Sequence, residues 1–139
     1  MRRIVLRGLT ACAALEVAGF ASAGKLPEPI KTPTGNFITL YAYVAPTANH
    51  RVASVDVSIC TSSHTPKITE AYPPFFTLAL SSGVSVHISA SAAKSPALRI
   101  TPLGPKQCVR GWVSFAVPSG AHVASLVYTF GKPIRWRLG

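Results

Sequence analysis

Three cysteines, four histidines and four carboxylates are the groups in this chain best suited to nucleophilic, acid–base or metal chemistry. Their spacing does not gather them. His50, His64, His87 and His122 fall in separate segments without metal-ligand spacing. No Gly-x-Ser-x-Gly elbow presents a serine nucleophile. A two-carboxylate hydrolase would need Asp56 and Glu70 to converge across a cleft. The pattern places Asp56 on a strand face and Glu70 in a loop, which reads as surface groups of a basic protein. A hydrolase using Asp56 or a histidine therefore stands behind the non-enzymatic readings, and no cofactor or metal site is expected.

The cysteines and the basic residues say more. Cys60 and Cys108 form an even pair once a leader carrying Cys12 is removed, which reads as one disulfide in an exported chain. Both fall on the non-core parity of their strands, so the bridge is expected to tie strand ends. Cys-x-x-Cys, the spacing of a redox or zinc site, does not occur. The net charge is +10, and taking away Arg2, Arg3, Arg7 and Glu16 with the leader leaves +8. Arg99, Lys106, Arg110, Lys132, Arg135 and Arg137 crowd the last third of the chain. Arg110, Arg135 and Arg137 occupy outward strand positions, and Trp112 shares the parity of Arg110. If the last strands are neighbours, these residues and Lys106 form one Arg/Trp face able to hold an acidic protein or an anionic polymer. Solvated strand faces that block edge pairing are the plainer reading of the same residues. Nucleic acid is not expected as a partner, since no nucleic-acid motif appears.

The elements that must position these groups are short strands. Hydrophobic residues make up 48% and charged residues 13%, and twelve prolines and ten glycines interrupt the chain. That excludes disorder, a coiled coil and long helices. Phe37 to Val44, Arg51 to Ile59, Phe75 to Leu80, Val84 to Ile88, Ala97 to Ile100, Gln107 to Val117, Val123 to Phe130 and Ile134 to Leu138 read as strands. Ala53, Val55, Val57 and Ile59 share a core face, with Ser54, Asp56 and Ser58 opposite. Val109, Val113, Phe115 and Val117 form a second core face, and Ile134, Trp136 and Leu138 a third. Seven to eight such strands over 37–139 predict an all-β sandwich, with a barrel as the alternative.

Ahead of this domain, Met1-Arg2-Arg3, an apolar stretch to Phe20 and Ala21-Ser22-Ala23 have the parts of a signal peptide over 1–23. Leu9-Thr10-Ala11-Cys12 offers a second reading, a lipid anchor at Cys12 on the outer membrane face. Residues 24–36, bearing Pro and Thr, read as a flexible spacer. The apolar stretch is too short and interrupted to span a membrane, so no transmembrane segment is expected in the mature chain.

The stretch from Gln107 to Gly120, followed by Leu126-Val127-Tyr128 and Ile134-Arg135-Trp136-Arg137-Leu138, resembles the closing signature of a telokin-like, immunoglobulin-like family of small bacterial exported proteins. Gly111, Phe115, Val117 and Pro118 match the Gly-x-x-x-Phe-x-Val-Pro core of that family. Val55-Asp56-Val57 with Cys60, and Phe76-x-Leu78 with Gly83, fit its earlier strands. The family shares its fold with a small secreted immunogenic antigen of mycobacteria. The resemblance implies an immunoglobulin-like sandwich, export and a paired cysteine, and it implies no reaction. The chain departs from the pattern between Ser91 and Pro105, which leaves one sandwich edge undefined. The function expected is that of a secreted or envelope-associated, non-enzymatic binding module for a protein or an anionic envelope polymer. A structural or antigenic surface protein without a small ligand is the alternative.

Overall fold

The computed structural model describes residues 26–32, 35–63 and 69–139. The expected leader over 1–23, with Cys12, and His64 lie outside the described residues. Among the described residues there are ten strands: β1 (Glu28–Lys31), β2 (Phe37–Val44), β3 (Val52–Cys60), β4 (Thr69–Ala71), β5 (Phe76–Leu80), β6 (Ser85–His87), β7 (Thr101–Leu103), β8 (Cys108–Ala116), β9 (Val123–Tyr128) and β10 (Ile134–Arg137). Among the described residues, no helix is long and apolar enough to cross a membrane.

Two antiparallel sheets, in the orders β1-β2-β3-β8 and β10-β9-β5-β6, close on one core. The alternating apolar residues of each strand supply it. Val55 and Val57 of β3 and Phe115 of β8 meet Phe76, Leu78, Leu126 and Trp136 of the opposite sheet. The order β2-β3-β8 facing β6-β5-β9-β10 is that of strands A-B-E facing C′-C-F-G in an immunoglobulin-like sandwich. The strand count is ten rather than seven to eight, for two reasons. Glu28–Lys31, expected within a flexible spacer, is paired antiparallel to β2. The loop after β3 contains β4, which pairs with β7 as a small separate ladder.

The strand expected at Ala97 to Ile100 lies later, at Thr101–Leu103. Pro102 sits within it, opposite Glu70. A two-stranded ladder tolerates this, because a proline can face its missing N–H away from the partner. The preceding segment does different work. Leu98 N–H donates to the Trp112 carbonyl and Trp112 N–H to the Pro96 carbonyl, both at 2.9 Å. Ser89 N–H donates to the Ser114 carbonyl at 2.9 Å. Residues 89–98 therefore run along the outer edge of β8 and define the edge that the sequence left open.

Their approach to β8 depends on Gly111. A Cβ there would lie 2.5 Å from the Leu98 nitrogen and 2.7 Å from its Cα. The obstacle is backbone, which cannot rotate away as a side chain can. Gly111→Ala is expected to destabilise the fold by about 3 kcal/mol. Urea unfolding of the variant should show a lower midpoint with an unchanged slope. A midpoint equal to that of the parent would mean that the 89–98 segment is not seated on β8.

Candidate functional site

The register of β3 on β8 decides which outward residues meet. It runs from Val52↔Ala116 to Cys60↔Cys108 without a break. The cysteines are direct cross-strand partners at the end of the ladder, with Cα atoms 4.1 Å apart, and they are bonded. The bridge ties strand ends within one sheet, as the strand parity predicts. It does not span the two sheets in the manner of an immunoglobulin core bridge.

Asp56 and Arg110 lie two rungs apart diagonally and pair bidentately, Nε to Oδ1 at 3.2 Å and Nη2 to Oδ2 at 2.9 Å. The guanidinium also lies flat on Tyr41, 3.7 Å from the ring centroid. The hydrogen bond to Asp56, more than the charge alone, raises the Arg110 pKa further. Tyr41 reaches this position through a bulge in β2 between Leu40 and Ala42, and its hydroxyl lies 3.2 Å from Ser58 Oγ. Ser54 and Ser114 exchange a hydroxyl hydrogen bond of 2.9 Å. This cover corrects the expectation that the face of β3 opposite the core carries surface groups. Ser54, Asp56 and Ser58 are buried as well as the apolar face. Asp56 is therefore not a surface carboxylate. Glu70 is exposed on β4, in a different ladder.

The single Arg/Trp face does not form. β8 belongs to one sheet, while β9 crosses to pair with β5 and carries β10 on its other side. Arg110 and Trp112 thus stand on one outer face, and Arg135 and Arg137 on the outer face of the other sheet. Lys106 is exposed in the turn before β8, with φ 56°, beside the disulfide. Its N–H donates to the Ser62 carbonyl at 3.3 Å.

Trp112 instead belongs to a cleft of about 330 Å³ beside the 89–98 segment, where Arg99, Ser89, Ser114 and Ile88 also line the wall. Lys94 Nζ sits 5.0 Å from the Trp112 ring centroid. The Lys94 backbone N–H donates to Ser114 Oγ at 3.2 Å, which fixes the start of its side chain. None of the described residues lining the cleft is acidic. An aromatic ring with one cation over it and a second cation on the same cleft wall suits a compact anionic group. Arg99 was already among the basic residues of the last third of the chain. Lys94 and Tyr41 were not singled out, because Lys94 lies in a loop without periodicity and Tyr41 at a bulge that reverses parity.

A larger open cleft of about 810 Å³ lies at one end of the sandwich, between Tyr43, Arg51, Ser81, His122 and Leu138. Arg51 is occupied there. Its Nη2 donates to the Pro118 and Ala121 carbonyls at 2.9 and 3.0 Å, and Nη1 to the Thr47 carbonyl at 3.3 Å. The residue acts as a clamp between two loops. His122 is the one described histidine on this wall. Among the described residues, His, Cys, Asp and Glu form no group of three or more able to hold a metal ion. Comparisons with protein families, with curated proteins and with solved structures find no match to the chain.

Burial raises the pKa of Tyr43 and of Tyr128, because the phenolate is poorly solvated in both places. The native state then holds these protons more tightly than the unfolded chain. The stability linked to them is complete below the ordinary tyrosine pKa of about 10 and falls as pH rises above it. Spectrophotometric titration should show the Tyr43 and Tyr128 phenols ionising above the ordinary tyrosine range, together with alkaline unfolding. Tyr43→Phe and Tyr128→Phe should each flatten the fall in stability above that pH.

Proposed function

We propose that the chain is an exported, non-enzymatic binding module that holds anionic groups of an envelope polymer or an acidic protein in the Trp112 cleft. Its resemblance to the telokin-like exported proteins belongs to the same reading. The observation that carries it is Lys94 over the Trp112 ring, beside a cleft that Trp112 and Arg99 line without an acidic residue. Arg110 has a different part in this reading. Its guanidinium is engaged by Asp56 and Tyr41, so it stiffens the neighbouring face and leaves anion contact to Lys94 and Arg99. The disulfide supports an oxidising location, where such bridges persist.

Fluorescence tests this directly, because the chain has two tryptophans and Trp136 is buried in the core. A heparin tetrasaccharide should change the Trp112 emission, in a manner that weakens with salt, while neutral dextran should not. A Lys94→Ala/Arg99→Ala variant should bind the tetrasaccharide at least tenfold more weakly, and Trp112→Ala should lose comparable affinity. Arg110→Ala should have a smaller effect. Equal binding of dextran, or unaltered affinity in the Lys94/Arg99 variant, would remove the cleft from consideration and favour a surface protein without a ligand there.

A further inference from the structure

The two large sheets leave four outer edges, and they differ in what they offer. The edge of β8 is occupied by residues 89–98. The edge strand β1 includes Pro29, which has no donor, and β6 is three residues long. β10 is different. It pairs with β9 through Ile134↔Tyr128 and Trp136↔Leu126, and Leu138 N–H donates to the Ala124 carbonyl at 2.9 Å. In an antiparallel ladder, backbone groups of alternate residues point to opposite edges. Ile134, Trp136 and Leu138 therefore direct theirs to β9, and Arg135 and Arg137 direct theirs outward.

Among the described residues, no strand pairs with that outer edge. Each of these two arginines presents one N–H and one C=O there. Their side chains are exposed on one face of the strand, and neither is in an ion pair with a described residue. We infer that β10 is a strand-addition site for an extended acidic segment of another protein. Main-chain hydrogen bonds at Arg135 and Arg137 hold the added strand, and the two guanidinium groups select carboxylates at alternate positions along it. A second copy of this chain is the wrong occupant. Pairing β10 with itself brings the arginines of both copies together, and like charges directly opposite are destabilising. Both copies also carry +10. The site lies on the sheet opposite the Trp112 cleft and does not depend on it.

The test is a titration of the full chain with an acetylated, amidated peptide of three Glu-Val repeats. A Lys-Val peptide of equal length and a Glu-Val peptide N-methylated at every residue, which has no backbone donor and cannot complete a ladder, are the controls. The acidic strand peptide should slow hydrogen exchange of the Arg135 and Arg137 amides at least tenfold, and neither control should. Arg135→Glu/Arg137→Glu should weaken the acidic peptide at least tenfold and admit the Lys-Val peptide. Arg135→Pro removes only an outward N–H from the backbone, and circular dichroism reports whether the sandwich is retained. That variant should bind more weakly than Arg135→Ala. Equal binding of the N-methylated peptide, or equal affinities for the Pro and Ala variants, would overturn strand addition. Loss of peptide affinity in the Lys94→Ala/Arg99→Ala variant would place the peptide in the Trp112 cleft and likewise overturn it. No binding of any peptide would leave the arginines as protectors of an exposed edge, and the inference would fall.

Discussion

Nine consecutive residue pairs join β3 to β8, and most of what distinguishes this molecule follows from that ladder. The disulfide closes one end of it, where Cys60 faces Cys108. Bridging residues separated by 48 positions restricts the unfolded chain, which stabilises the fold by about 4 kcal/mol on the chain-entropy account. That is a large share of the net stability of a domain this size. The same register sets Asp56 diagonally from Arg110 and leaves the far edge of β8 open at Gly111 for residues 89–98. A slip of one residue would exchange the two faces of β8. Phe115 and Val113 would turn outward, and Arg110 and Trp112 would turn into the core.

The outward side of this ladder shows how a sheet face in an all-β domain becomes a second, smaller packed layer. Asp56 is a buried carboxylate on a strand flanked by partners on both sides. A carboxylate removed from water needs a charge partner and directed hydrogen bonds. Arg110 supplies both, and Tyr41 supplies the flat surface on which the guanidinium rests. The arginine head stays in contact with water while its partner is covered. Arg110 is thus a supporting residue for the face, although its composition and parity also suit a ligand contact.

Much of the fold was legible because it rests on period-two patterning. The inward positions Ala53, Val55, Val57 and Ile59, and Val113, Phe115 and Val117, are buried as their alternation predicts. β2 begins and ends at the residues expected. The parity of Cys60 and Cys108 sufficed to place their bridge at strand ends. Alternation says nothing, however, about which strands are neighbours. β8 and β9 are consecutive in the chain and join opposite sheets, so Arg110 and Arg135 share a parity pattern without sharing a surface. Alternation also fails at the Tyr41 bulge, in short ladders such as β4–β7, and in the loop that delivers Lys94. The covered outer face of β3 was illegible for a related reason: its cover comes from residues remote in sequence.

The division of charge between two sheets changes what the net +10 can do. Packed sheets stand about 10 Å apart, and their outer side chains are farther apart still, which is about or beyond one Debye length at physiological salt. The Lys94–Arg99 region and the Arg135–Arg137 edge would therefore act on an anionic partner as separate local fields, although their sum attracts anions at long range in dilute salt. Selectivity must then come from what each region adds to its charge. Trp112 and a cleft wall add an aromatic surface, which suits a compact anionic group. The open edge of β10 adds backbone hydrogen bonds, which suit an extended chain. The immunoglobulin-like crossover between β8 and β9 is what keeps these two kinds of contact from merging into one undifferentiated basic patch.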